Sequence, residues 1–375
     1  MTLTDPRLTS VLEQPLSAAR ASNRPIVLYV SNDIPVELIH ASGCFPLQLP
    51  TAPRPDHNYS RADYYLEPNF EPMVRAALEQ LLQGELNDGS LLVLPRSIDA
   101  WQRLYYYLCE LSRSFRERLP EPFLYDLQKL PNESSAHYNL ESTALFARKL
   151  AALSGTPLDD SALTRSIGLY NQLRAELQRC LQRRYQRPRR LAGADALDLF
   201  TAVQRQAPDV ALAALCAMNH EGAGGDAPGV PTLLVGSAHD TPVLHHAIER
   251  AGGQVVAEFH SRGDWSFGPV IPEGPEPLAA LSEHYHKHSL STRSYPLPLS
   301  ALLDLAAKSG AEAAVFFYYN EEEGLTWDHP AQVAALESRG IRCLLLTRQP
   351  YPASAEVAIP LRAFFNATLP ERGSP

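Results

Sequence analysis

The apolar run Ile26–Val30 and the segment Ile34–Leu49 behind it restrict this chain more than any other stretch. The run predicts a strand over 27–31 that is apolar on both faces, the pattern of a parallel sheet. A proline, the carboxylate of Glu37 and a helical turn follow, and Gly43 closes that helix before a second short strand over 47–49. Strand, sharp turn, acidic helix and returning strand make a βαβ unit. Its polar residues collect at the strand's carboxyl end, where open α/β sheets hold their ligands.

The same alternation continues. Met73, Ala76, Ala77, Leu81 and Leu82 recur at helical spacing, Ser90–Leu94 reads as another buried strand, and a helix is expected from Ala100 to about residue 118. Residues 140–220 read as helical throughout, with Leu163, Ile167, Tyr170, Leu173, Leu177 and Leu181 forming one stripe. Asp159 and Asp160 are placed to cap that helix. A Gly-rich stretch, 221–231, reads as a flexible linker. Strands are then expected over Thr232–Gly236, Gln254–Phe259, Glu312–Phe317 and Ile341–Leu346, with helices between them. The expected fold is α/β: two doubly wound, parallel-sheet (Rossmann or flavodoxin-like) domains, 1–139 and 232–375, with a helical insert between them.

Length and charge narrow the function. A chain of 375 residues suits two domains of ordinary size. A formal charge of −9 lacks the basic face that nucleic-acid binding needs. The one basic run, Arg183–Arg190, ends a long helix; it reads as a solvated, dipole-complementing terminus or, less simply, as a contact for CoA phosphates. No segment approaches the roughly 18–20 apolar residues of a membrane span, and the N-terminus has no signal-peptide pattern. The five cysteines are odd in number and widely spaced, which points to reduced thiols and a cytoplasmic protein.

The order of these pieces resembles the 2-hydroxyacyl-CoA dehydratase and benzoyl-CoA reductase subunit family. The resemblance rests on the Glu37 unit, Pro72–Arg75, Ser97–Asp99, the long helical middle, Leu233–Gly236, Asp328–Pro330 and Leu361–Phe365. It implies paired homologous subunits, an acyl-CoA substrate, and a [4Fe–4S] cluster held by one thiolate from each of three loops. By motif order those thiolates would fall at Glu71, at Ile98 and in the loop 320–327, and none of these is a cysteine. Cys44 and Cys109 read as buried structural thiols. A three-cysteine cluster is therefore not expected.

Several residues remain as candidates for chemistry. The resemblance puts Glu37 near the substrate thioester; as a bare sequence feature it is equally a helix-start acid. Asp99 and Glu71 are the other acid/base candidates. Ser31, His40, Ser237 and Tyr319 are the candidate substrate contacts. Carboxylates in place of thiolates favour harder metals, and Glu71, Asp99, Glu322 (or Glu321 or Glu323) and His329 or Asp328 form a weak candidate set. His284 and His288 share a helix face but read as exposed histidines. Gly236–Thr241 follows a strand and can hold an anion on backbone N–H groups. Without G-x-G-x-x-G, a Walker motif or G-x-S-x-G, neither a dinucleotide, a P-loop nor a serine hydrolase is implied. Three functions follow: a cluster-less dehydratase-like subunit binding acyl thioester beside a cluster-bearing partner, a redox-independent enzyme in a biosynthetic pathway acting as a homodimer or alone, and a non-catalytic scaffold.

Overall fold

The computed structural model describes residues 5–51, 59–114, 119–220, 228–264, 266–288 and 299–367. Most of the Gly-rich linker, the far end of the helix expected to residue 118 and most of the proline-rich loop after Leu49 lie outside them.

Two four-stranded parallel sheets carry the fold. The first contains β1 (Ile26–Tyr29), β2 (Phe45–Gln48), β3 (Gly89–Pro95) and β4 (Glu121–Tyr125), in the order β2-β1-β3-β4. The second contains β5 (Val230–Gly236), β6 (Gly253–Phe259), β7 (Ala313–Tyr319) and β8 (Arg342–Gln349), in the order β6-β5-β7-β8. The two sheets thus repeat one topology, which no sequence repeat announces. Each strand feeds alternate residues to opposite faces. Leu28, Leu92 and Leu94 pack with the helices Pro72–Leu82 and Asp99–Ser114, whereas Val27, Tyr29, Leu91 and Val93 pack with Phe146, Leu150, Leu163 and Ile167.

The helical middle comprises Glu133–Ser154, Asp160–Tyr185, Gly193–Val203 and Pro208–His220. Asn132 and Asp159 cap the first two, each accepting a backbone N–H. Two segments cross the expected boundaries. Leu8 and Val11 of the N-terminal helix Pro6–Glu13 pack with the helical middle, and Leu281 and Tyr285 of helix Pro277–Lys287 enter the core of the first sheet. The basic run is also not a simple solvated terminus: Arg184 is fully buried on Glu258, and Arg189 is buried too. Among the described residues, no helix is long and apolar enough to cross a membrane.

The turn after β5 requires glycine. Gly236 has φ +119°, and a Cβ there would lie 2.4 Å from the Phe317 carbonyl oxygen. That backbone region is essentially confined to glycine. Gly236→Ala is expected to lose on the order of 1–3 kcal/mol of stability. A thermal melt unchanged from the parent would count against this account of the turn.

Candidate functional site

In this strand order the chain reverses its winding direction between β1 and β3, and again between β5 and β7. The crevice outside such a switch point, at the strands' carboxyl ends, is where α/β sheets bind ligands. Here both crevices open into one cavity of about 580 Å³. Val30, Ser31 and Asn32 follow β1, and Ser97, Ile98 and Asp99 follow β3. From the second sheet, Gly236, Ser237 and Ala238 lie at the end of β5, and Tyr318, Tyr319 and Asn320 at the end of β7. The sharing of one cavity by both switch points is what makes it the candidate site.

Its wall is electrostatically uneven. Glu71, just before the helix Pro72–Leu82, lines it with Glu321, Glu322 and Glu323. Burial pushes the Glu71 carboxyl up to about 7, its own backbone N–H opposes that rise, and Glu322 and Glu321 add to it; Arg103 holds it down slightly. Burial raises Glu322 as well, although its carboxylate accepts the Leu325 N–H at 3.1 Å. Arg103 lies over the Phe70 ring, 4.1 Å from its centroid, and pairs with Glu67 at 2.8 Å. Met73, Ile98 and Trp101 supply apolar wall.

Another part of the wall is basic and hydroxyl-rich. Arg262 Nη2 donates to Thr51 Oγ1 at 2.9 Å, and that hydroxyl donates to Asp240 at 2.5 Å. Tyr351 donates its hydroxyl to the same carboxylate. His260 accepts the Arg262 N–H on Nδ1, which leaves Nε2 to donate to Glu258 at 3.0 Å. Glu258 is fully buried; burial alone would raise its carboxyl, but His245 and Arg184 outweigh that and hold it well below the usual carboxylate range. Ser237 Oγ accepts the Tyr319 N–H at 3.2 Å, and the Tyr319 hydroxyl meets His239 Nδ1 at 2.8 Å.

Of the candidates drawn from sequence, Ser31, Glu71, Asp99, Ser237, Tyr319 and Glu322 line this cavity. Glu37, His40 and His329 are not among its lining residues. The Glu37 side chain is fully buried, paired with Arg174 and hydrogen-bonded by the Tyr285 hydroxyl at 2.8 Å. Burial would raise its carboxyl, but Arg174 and, more weakly, His284 hold it below its ordinary value. His40 Nδ1 lies 3.0 Å from Ser166 Oγ. His329 packs its ring on Phe316, with centroids 4.9 Å apart. Among the described residues, no three His, Cys, Asp or Glu side chains are grouped to hold a metal ion. His284 is buried rather than exposed, and burial pushes it down to about 4, so it is neutral near pH 7.

Sequence reading missed Arg103, Arg262, His260, Tyr318, Tyr351 and Gln48, all of them in the wall. Arg262 and His260 directly follow β6, and their position after a strand was the available signal. Gln48, the last residue of β2, gave none.

No curated protein matches the chain. A family model described as 2-hydroxyglutaryl-CoA dehydratase, D-component, matches residues 32–358. That span takes in the whole second sheet, three of the four strands of the first and nearly all of the cavity wall. The chain belongs to the 2-hydroxyglutaryl-CoA dehydratase D-component family.

Proposed function

We propose that this chain is a dehydratase-like subunit that binds a small acyl substrate, a thioester or a related molecule, in the cavity between its sheets. It does so without a three-thiolate cluster of its own. One observation carries this reading. Family motif order would put the three cluster cysteines at Glu71, at Ile98 and in the loop 320–327; Glu71, Ile98 and residues 320–325 of that loop all line the same cavity. The side chains there are carboxylates and an isoleucine that offers no donor at all, which do not fit a [4Fe–4S] cluster that needs soft thiolates.

The chain's five cysteines lie elsewhere. Burial pushes the Cys44 and Cys180 thiols up to about 11 and Cys343 up to about 12, away from the thiolate form that ligates metal. Free cysteines suit a reducing compartment, and we assign the protein to the cytoplasm.

In this reading Glu71 is the working group. Half-neutral near pH 7, it donates a hydrogen bond, or a proton, to a substrate carbonyl or departing hydroxyl oxygen. Met73, Ile98 and Trp101 exclude water around the acyl chain, and Asp99 and Tyr319 are placed to orient its polar groups. A homologous subunit with intact cysteines supplies the family's electron chemistry where it is needed. The raised Glu71 favours a second reading as well, in which this chain alone performs acid–base chemistry that needs no cluster.

Purification without oxygen, followed by iron and sulfide assay, tests the proposal. We expect no stoichiometric sulfide. Stoichiometric iron and sulfide on the isolated chain would overturn the cluster-free reading. Co-purification of a cysteine-bearing homologue supports the paired subunit, and turnover by the isolated chain supports the second reading.

A further inference from the structure

Arg262 is nine-tenths buried, lines the cavity, and is incompletely satisfied. Its Nη2 has Thr51, but Nη1 has no hydrogen-bond acceptor. The nearest carboxylate oxygen, Asp240 Oδ2, is 3.8 Å away, beyond hydrogen-bonding range. Asp240 is itself taken up by the hydroxyls of Thr51 and Tyr351.

A second guanidinium, Arg205, is buried close by, and burial together with Arg262 pushes it down to about 10, so it stays charged at neutral pH. Asp240 and Asp198 both act on Arg205, so what is lacking is a hydrogen-bond acceptor at Arg262 Nη1. An unpaired buried charged donor is destabilising unless a partner arrives. The His260–Glu258 hydrogen bonds described above fix the turn that carries Arg262, so the guanidinium is held in place before any ligand binds.

We propose that Arg262 anchors a carboxylate carried by the ligand, so that the cavity selects a small carboxylic acid over its uncharged counterpart. This rests on the cavity being the substrate site. Arginine's fork matches a carboxylate in two-point geometry, which lysine cannot reproduce. The acidic wall around Glu71 repels a carboxylate, so the bound acid keeps its charged end on Arg262 and turns its other polar groups towards Glu71 and Tyr318. The Tyr318 hydroxyl, buried in the same wall without a partner, is a further donor for such a group.

The test uses 2-hydroxybutyrate, 2-hydroxybutanamide and inorganic phosphate as probes on the full chain, by ligand-observed NMR and thermal shift. Binding by the acid, with little by the amide or by phosphate, is expected. Arg262→Gln should weaken acid binding roughly 10–100-fold and largely abolish the preference for acid over amide. Arg262→Lys should recover only part of the loss, and it serves as the folded comparison if the glutamine variant melts early. Equal binding of acid and amide, or full acid binding by Arg262→Gln, overturns the anchor but leaves the cavity as a site. Preference for phosphate overturns the carboxylate in favour of a phosphate-bearing ligand. If no probe binds, the carboxylate anchor is overturned, while the substrate-site reading, which admits thioesters, is decided by whether an acyl thioester binds.

Discussion

Replacing Glu37 by alanine is expected to remove about 3–5 kcal/mol of folding stability, because it leaves the buried Arg174 guanidinium without its counter-charge. Glu37 ties three elements together. It sits in the first turn of the helix Val36–Ala41, pairs with Arg174 of the helix Asp160–Tyr185, and accepts the hydroxyl of Tyr285 from the helix Pro277–Lys287. Its neighbour Ser166 adds a bond to the Glu37 carbonyl at 2.8 Å. The folded-state carboxyl is held below its ordinary 4.5, so the stabilisation is present above that value and is lost as pH falls through the folded pKa. The variant should therefore differ most from the parent at neutral pH and converge with it in acid. Denaturant midpoints across that range check this. A loss under about 1 kcal/mol at neutral pH, accompanied by lost ligand binding, would return Glu37 to the site.

The contrast between Glu37 and Glu71 shows what the residues alone could reveal. Both are acids at the start of a helix after a turn, and both were reasonable candidates. Only packing separates them: Arg174 and Tyr285, which enclose Glu37, lie 137 and 248 residues away in sequence. The strands were legible because Val27–Val30, Leu91–Leu94 and Ala313–Phe317 are apolar on both faces, as parallel strands must be. The strand β4 was not, since Glu121–Tyr125 is short, carries Pro122 and lies at a sheet edge, where proline is tolerated and hydrophobic pressure is weak. Helix Pro277–Lys287 was legible as a helix but not as a partner of the first sheet, because its apolar face names no destination. The same limit hid Arg262. An arginine after a strand is ordinary until Thr51, Asp240 and Tyr351 are seen around it.

Glu71→Gln is expected to make the protein more stable at and above neutral pH, the reverse of the Glu37 result. In the folded chain Glu71 titrates at about 7, against 4.5 for an unperturbed glutamate. A raised carboxyl pKa means the folded state resists ionisation, so stability is full below 4.5, declines between 4.5 and about 7, and stays reduced above. Glutamine keeps the shape and removes the charge, and it escapes that decline. Because Glu71 lines an open cavity, solvent screens part of the effect, and a gain on the order of 1–3 kcal/mol above neutral pH is expected. Below pH 4.5 the two proteins should melt alike. Neighbouring Glu321 and Glu322 make the same argument from the other side, since each contributes to the repulsion that Glu71→Gln relieves. A residue that lowers stability where the protein works is the signature of a group kept for chemistry rather than for folding. If the glutamine variant is instead less stable at neutral pH, Glu71 is a paired structural carboxylate, and it loses its place as the proton donor of this site.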